Sequence, residues 1–279
     1  MSSAQINSEV TVYTYVMSDI HGCFDKLREM LKKIEFKDED QLIIAGDYID
    51  RGPQNYEMLN WILDPPGNVL LLCGNHDREF VTNVKLMQQV METEIKGFDI
   101  NSADANKVLY QLTALLLKEG NENWPLAFDH YGTIGRLIDM HGACFKDLAR
   151  WAVAIEDMPY YFKLKIGDRK CIVVHAGYIE SLKNVKTREN FASPEDFYIY
   201  AREDAYLKGG IEHGMVIAGH TPTLAEKEFT FNNGDVFRYY DKKKDCIYYD
   251  IDCGCSYAEI RLNAKLACIR LEDEKLVYL

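Results

Sequence analysis

The sequence predicts an α/β fold built on parallel strands, and two observations predict it. Five apolar, β-rich runs are each followed at once by a polar cluster, and near-continuous apolar runs mark strands buried on both faces. Between the first three runs lie stretches with helical spacing, which gives the strand–helix alternation of βαβ units. Ligands of such sheets bind beyond the carboxyl ends of the strands. The order of residues places all five polar clusters there.

Taken in order, the first run, Val12 to Met17, ends on Ser18-Asp19-Ile20-His21-Gly22. Leu27, Met30, Leu31 and Ile34 then recur at helical spacing and predict a helix from Asp25 to Ile34. Leu42 to Ala45 leads into Gly46-Asp47-Tyr48-Ile49-Asp50-Arg51-Gly52. A second helix is predicted from Pro53 to Leu63, with proline at its first position and a stop before Pro65-Pro66-Gly67. Val69 to Cys73 leads into Gly74-Asn75-His76-Asp77. Residues 78–165 read as mostly helical, with a loop near Glu119-Gly120-Asn121 and Trp124-Pro125. Cys171 to Val174 ends on His175-Ala176-Gly177, and Met215 to Ala218 on Gly219-His220-Thr221. The rest reads as strands. Asn233-Gly234 signals a tight turn between Phe229–Phe231 and Val236–Tyr240. Leu266 to Leu271 and Leu276 to Leu279 suggest a closing hairpin. No linker or repeat stands out, so one domain over residues 1–279 is expected, with a helical insertion at about 90–165.

Composition narrows the function classes. A chain of 279 residues can bury a large core without a disulfide or structural metal. Its formal charge of −12 repels a polyphosphate backbone, so long nucleic acid is not an expected partner. No run of 18 apolar residues occurs, and no membrane partner is expected. Met1 to Val10 is polar and lacks the regions of a signal peptide. The eight cysteines include no Cys-x-x-Cys pair. A reducing cytoplasm is the expected compartment.

The clusters supply Asp19, His21, Asp47, Asn75, His175 and His220: two carboxylates, one amide and three imidazoles at strand ends. Two divalent cations sharing a bridging carboxylate would use such a set. Mixed nitrogen and oxygen ligation suits Mn, Fe, Zn or Ni better than Ca or Mg, with Mn the first expectation. Two cations roughly 3.5–4 Å apart can lower the pKa of a shared water toward about 7 and clamp an in-line displacement at phosphorus. His76 and Asp50 remain over, and a histidine held by an aspartate is the usual arrangement of a general acid. Arg51 presents a charged fork suited to phosphate oxygens. Asp139-Met140-His141-Gly142 repeats the letters of the first cluster, but it follows no strand and reads as structural. His130 and His213 read as solvated or locally hydrogen-bonded, and Cys253 with Cys255 as strand-end packing.

Asp19-x-His21-Gly22, Gly46-Asp47-Tyr48-Ile49-Asp50-Arg51-Gly52 and Gly74-Asn75-His76-Asp77 resemble the three signatures of a family. It is the phosphoprotein phosphatase (PPP-type serine/threonine phosphatase) branch of the calcineurin-like metallophosphoesterases. Val174-His175-Ala176-Gly177 and Gly219-His220-Thr221-Pro222 resemble its two later histidine motifs. Ile251 to Cys255 and Lys265 to Ile269 are similar to the closing strands of bacterial and phage members. The resemblance implies a four-layer fold, a central β-sandwich flanked by helices. It implies that Asp19, His21 and Asp47 hold a first metal, and Asp47, Asn75, His175 and His220 a second. His76 then protonates the leaving oxygen, Asp50 orients it, and Arg51, Arg202 and Asn75 contact the phosphate, with Arg188 as the competitor of Arg202. Ser18, Asp77 and Cys253 depart from the family's usual residues, and none of them removes a ligand.

The activity so implied is hydrolysis of a phosphomonoester, phosphoserine or phosphothreonine on a protein, by a metal-bridging hydroxide and without a phosphoenzyme. A small phosphoester is the other expected kind of substrate. The alternative is a symmetrical dinucleoside polyphosphate hydrolase, whose members typically read Ala-Arg-Gly where this chain has Asp50-Arg51-Gly52. A non-catalytic phosphate-binding module is the rival from another class, which a lost ligand would support. The helical insertion is expected to cover the site and select substrate.

Overall fold

A computed structural model describes residues 12–94, 96–101, 103–118, 128–224 and 232–279. In the first of its two five-stranded sheets, β1 (Thr14–Met17), β2 (Gln41–Ile44) and β3 (Val69–Leu71) run parallel. In the second, β4 (Tyr161–Ile166) pairs antiparallel with β5 (Arg169–Val174), which runs parallel to β6 (Gly214–Ala218). There β7 (Phe237–Asp241) forms the far edge, antiparallel to β8 (Cys246–Asp250), and β8 is parallel to β6. A hairpin of β9 (Ala267–Arg270) and β10 (Lys275–Tyr278) completes the first sheet beside β1, as its apolar pattern predicts.

The helices follow the predicted order with shifted ends. α1 is Phe24–Lys33. α2 is Asn55–Ile62, so Pro53 lies outside it. The residues ahead of it are used elsewhere: Gly52 N–H donates to the His21 carbonyl at 3.0 Å and Gln54 N–H to that of Gly22 at 2.8 Å. α3, Asn75–Glu94, starts three residues earlier than its apolar pattern suggests, which puts the third polar cluster in a helical first turn. α4 (Ala105–Lys118), α5 (Thr133–His141) and α6 (Phe145–Glu156) follow. Helix ends there: residues 161–166, read from sequence as helical, form β4. Phe162, Leu164 and Ile166 alternate with Lys163 and Lys165, a period of two that suits an edge strand. α7 (Pro194–Tyr200) and α8 (Glu203–Leu207) lie between β5 and β6.

Asn233 and Gly234 take φ of 56° and 79°, as a tight turn requires. The strand predicted at Phe229–Phe231 and the loop at 119–125 lie outside the described residues. The Asp139–Gly142 segment ends α5, with Gly142 left-handed at φ 65° and the His141 ring stacked on Tyr56 at 4.5 Å. It follows a helix and not a strand, as its sequence setting predicts. No described helix is long and apolar enough to cross a membrane.

Side-chain alternation makes four layers. Val16, Ile43 and Leu72 of the first sheet meet Val173, Ile217 and Tyr249 of the second in an inter-sheet core. Tyr15, Met17, Leu42 and Ile44 face the other way and pack with Leu27, Met58, Phe145 and Trp151 of the helices. Ile172, Val174 and Val216 are covered by Phe197 and Ala205 of α7 and α8. This is the sandwich flanked by helices that the resemblance implies. Ile217 is fully buried between the sheets. Ile217→Ala is expected to cost about 2–5 kcal/mol by urea unfolding, and a loss under about 1 kcal/mol would contradict this packing.

Candidate active site

The carboxyl ends of β1, β2, β5 and β6 and the first turn of α3 converge, and the structure brings all six predicted ligands into one buried cluster. Asn75 Oδ1 lies 3.1 Å from His175 Nε2 and 2.9 Å from His220 Nδ1, and those two nitrogens are 3.2 Å apart. Asp47 Oδ1 is 3.5 Å from His175 Nε2. Its other oxygen, Oδ2, is 3.5 Å from His21 Nε2, on which Asp19 Oδ1 closes at 3.9 Å. One carboxylate therefore turns an oxygen to each of two groups.

Among the described residues, two sets of donors could hold a metal ion: Asp47, His175 and His220, and His21, Asp47 and His76. The second set differs from the predicted one in taking His76 instead of Asp19. Asp19 Oδ1 and His21 Nε2 are buried and find no hydrogen-bond partner among the described residues, whereas both His76 nitrogens are engaged. A buried oxygen and a buried ring nitrogen left without partners are costly unless a cation takes them, so Asp19 fits the group better. The histidine tautomers agree. His21 Nδ1 donates to the Ile49 carbonyl and His175 Nδ1 to that of Ala45, each at 2.8 Å, which leaves both Nε2 lone pairs facing Asp47.

Backbone strain concentrates here. Asp19, His21, Asp47, Asp50, Arg51 and His220 all have φ between 47° and 74°, a left-handed region costing each about 1–2 kcal/mol. Close approach by glycine makes room for the carboxylates. A Cβ on Gly74 would lie 2.2 Å from Asp47 Oδ1, and one on Gly219 would lie 2.1 Å from Asp19 Oδ2.

Beside the cluster, His76 Nδ1 donates to Asp50 Oδ2 at 2.7 Å, and Arg51 Nη2 donates to His76 Nε2 at 3.2 Å. Burial alone would lower the His76 pKa, but the Asp47 and Asp50 carboxylates outweigh it and raise the value. Burial holds His21 and His220 well below their ordinary range, helped by Arg51 and His175 respectively. Burial also pushes the Asp47 carboxyl well up.

A cavity of about 820 Å3 opens on this centre, lined by Arg51, Asn75, His76, Arg78, Arg202 and His220 and walled by Tyr131, Tyr200 and Tyr257. Arg202 is in it. The Arg188 side chain is 67% exposed and pairs with Glu203 instead. The structure thus places the predicted arginine, not its competitor, beside the centre.

Over residues 13–249 the chain matches the family described as calcineurin-like phosphoesterase. It belongs to that family. The symmetrical bis(5'-nucleosyl)-tetraphosphatase of Salmonella paratyphi B is 28% identical over 159 residues, which cover 56% of this phosphoesterase and 55% of that protein. The enzyme of the same name from Buchnera aphidicola subsp. Baizongia pistaciae is 29% identical over 120 residues, 43% of each chain. The phosphoesterase thus spans less than two thirds of these relatives' length. A solved structure provisionally described as a diadenosine tetraphosphatase superposes with a TM-score of 0.52 at 17% identity, over 97% of this chain and 94% of that one, a likeness of fold. The relatives' names go with the alternative reading of the sequence, not with a protein phosphatase.

Several site residues of the phosphoesterase escaped the sequence. Asp77, read as a mere departure, accepts the N–H groups of Asp47 (2.7 Å), Tyr48 (3.1 Å) and Gly74 (2.9 Å), and so ties two ligand loops together. Asp250 and Asp252 are buried carboxylates near Asp19, each with an oxygen that no described group satisfies. Cys246 to Tyr249 followed by Asp250-Ile251-Asp252 has the same run-then-cluster grammar as the other five, a signal that was there to be used. Tyr131 and Tyr257, far from each other in the chain, have ring centroids 5.7 and 5.6 Å from the Arg51 guanidinium.

Burial raises Asp47, Asp250 and Asp252 above their unfolded values. Their unfavourable contribution is therefore present at neutral pH and fades as pH falls through those raised values. Cations at neutral pH should offset it. Mn at 100 times its Kd should stabilise metal-stripped protein by about 2.7 kcal/mol, read as a rise in Tm. The rise should shrink toward acid pH and be largely lost in Asp47→Asn. A Tm that ignores Mn would refute the assignment of the centre.

Proposed function

We propose that this phosphoesterase hydrolyses a dinucleoside polyphosphate, with two divalent cations held by Asp19, His21 and Asp47 and by Asp47, Asn75, His175 and His220. The donor set favours Mn, with Fe, Zn or Ni able to replace it. Bound there, the cations supply Lewis-acid polarisation of phosphoryl oxygens and an acidified water. The observation that carries the reading is the cavity wall: Arg51 in contact with Tyr131 and Tyr257, and Arg78 on the Tyr200 ring at 4.9 Å. A chain of phosphates needs several fixed cations. Nucleobases need flat faces, and base–aromatic stacking contributes about 1–3 kcal/mol per base. A single phosphoseryl side chain would use little of that wall. The names of the relatives support the same reading.

The chain's own groups divide the work. Arg51 and Arg202 bind phosphoryl oxygens, and Arg51 leaves its contact with His76 Nε2 to do so. His76 delivers a proton to the leaving oxygen from Nε2 while Asp50 holds Nδ1–H. Asn75 orients the bound phosphate from the first turn of α3, where the helix N-terminus favours negative charge.

A second reading, a serine/threonine protein phosphatase, is favoured by one residue. The leaving oxygen of an anhydride is a phosphate, already a weak base, and needs little protonation. A serine alkoxide needs a proton, and the Asp50–His76 pair with its raised histidine is suited to supply one. Turnover of diadenosine tetraphosphate and of a phosphoserine peptide by Mn-loaded protein separates the two. Faster release of two diphosphates is expected. Faster release of phosphate from the peptide reverses the choice, and no turnover of either leaves a phosphate-binding module. His76→Asn should lose about 10²–10⁴ in kcat on a phosphomonoester while metal content stays at the wild-type level. A near-wild-type rate on a poor leaving group would remove His76 as the acid.

A further inference from the structure

Thr133 opens α5, 83 residues from Asp50, and its hydroxyl donates to Asp50 Oδ1 at 2.5 Å in a buried setting. Asp50 Oδ2 takes the His76 Nδ1–H. The carboxylate is thus held at both oxygens, one by the ring it orients and one by the helical segment between β3 and β4. Two residues before Thr133, the Tyr131 ring lies 4.9 Å from the His76 ring and 5.7 Å from the Arg51 guanidinium.

The turn that carries these two side chains is fixed independently of them. Asp129 Oδ1 and Oδ2 accept the N–H groups of Ile134 and Gly135, both at 2.8 Å, and its carbonyl accepts the Gly132 N–H at 2.6 Å. Gly132 takes φ 66°, which puts Tyr131 and Thr133 on either side of a sharp reversal. Ile134, Leu137 and Ile138 then bury α5 in the helix-side core.

We propose that this turn is a positioning element of the acid pair: Thr133 fixes the Asp50 carboxylate plane, and Tyr131 packs against the His76 ring and Arg51. The helical segment is then part of the catalytic frame and not only a cover over it. The last torsion of an aspartate is broad and roughly two-fold, so a single bond to His76 does not fix the carboxylate plane. The second bond does, and a hydroxyl hydrogen-bonded to an ionised group is among the stronger kinds available. A hydroxyl serving only to satisfy a buried carboxylate would not couple to the leaving group, and this is where the two roles part.

The inference rests on the hydrolytic reading of the cavity, and the test keeps the two separable. Zn-loaded wild type, Thr133→Val, Thr133→Ser and Tyr131→Leu are compared on phenyl phosphate, a poor leaving group, and p-nitrophenyl phosphate, a good one. The downfield imidazole N–H signal of His76, assigned by its absence in His76→Asn, is recorded by NMR for each. Thr133→Val is expected to lose about tenfold in kcat on phenyl phosphate, with KM changed by less than about twofold and a smaller loss on p-nitrophenyl phosphate. Thr133→Ser should recover most of the rate, and the His76 signal should shift or broaden in the valine variant and return in the serine one. Tyr131→Leu should lower kcat on phenyl phosphate and raise KM, because Arg51 loses its packing partner as well. Equal losses on both esters, or serine no better than valine, overturn the proposal. An unmoved His76 signal in an active Thr133→Val overturns it alone. A signal that responds in protein without turnover of any phosphoester upholds the positioning and sinks the hydrolytic reading. Should Thr133→Val fail to fold, Thr133→Ala removes the same hydroxyl and reads the same loss.

Discussion

Asp47 is the constraint on which the site depends. Its two oxygens face two donor groups, 3.5 Å from His21 on one side and 3.5 Å from His175 on the other. His21 follows β1 and His175 follows β5, so one carboxylate joins ligands from the two different sheets. The register between the sheets is set by the apolar layer of Val16, Ile43, Val173 and Ile217. Packing of the sandwich and geometry of the centre are therefore one requirement. Such a carboxylate, almost wholly buried beside Asp19 and Asp77, is tolerable only with counter-charge. Arg51 supplies part of it, and the orphaned oxygens and ring nitrogen mark where cations would supply the rest.

The left-handed backbone of six site residues has the same origin. Loops that turn back at once after a buried strand aim their side chains across the strand ends, and they reach that aim through unfavourable φ. The surrounding hydrogen bonds hold them there. Asp19, His21 and Gly22 N–H groups donate to the carbonyls of Gly46, Asp47 and Tyr48 at 2.7–3.1 Å, lacing the first ligand loop to the second. Asp77 binds the second to the third from beneath. Strain at each ligand is thus balanced by bonds from its neighbour, which is why these loops form one unit.

What was legible in the sequence was what chemistry keeps local. Each ligand follows its strand within a few residues, so five clusters and six ligands could be read without knowing how the strands pair. The four layers came through resemblance, because no local signal tells which runs share a sheet. The edge strand β4 was missed because its short period-two alternation lies at the end of a stretch, 78–165, that reads as mostly helical, and the Pro53 start because Gly52 and Gln54 serve the first ligand loop. Arg202 immediately precedes α8 while Arg188 lies in the loop ahead of α7, and the fold puts the first in the cavity and the second in solvent. Thr133 and Tyr131 could not have been found, since their bonds to Asp50 and Arg51 span about eighty residues and carry no spacing signal. Asp250 and Asp252 could have been, by the same grammar as the rest.

Under the proposed reading, two parts of the site act on different features of a substrate. The arginines and tyrosines of the cavity decide which molecule is held, through phosphate charge and flat apolar faces. The Asp50–His76 pair decides which bond can break at speed, through the basicity of the leaving oxygen. An anhydride needs the first part and little of the second, while an ester of serine needs both. A site with a tyrosine-walled cavity and an intact acid pair is therefore not a compromise between the two substrates. It keeps what anhydride hydrolysis requires and adds what ester hydrolysis requires. The acid pair is in turn anchored to α5 through Thr133, so the segment that shapes the cavity also sets the orientation of the proton donor. A change in that segment would alter substrate choice and leaving-group reach together, which makes it the place where a phosphoesterase of this fold can move from one kind of bond to the other without touching a metal ligand.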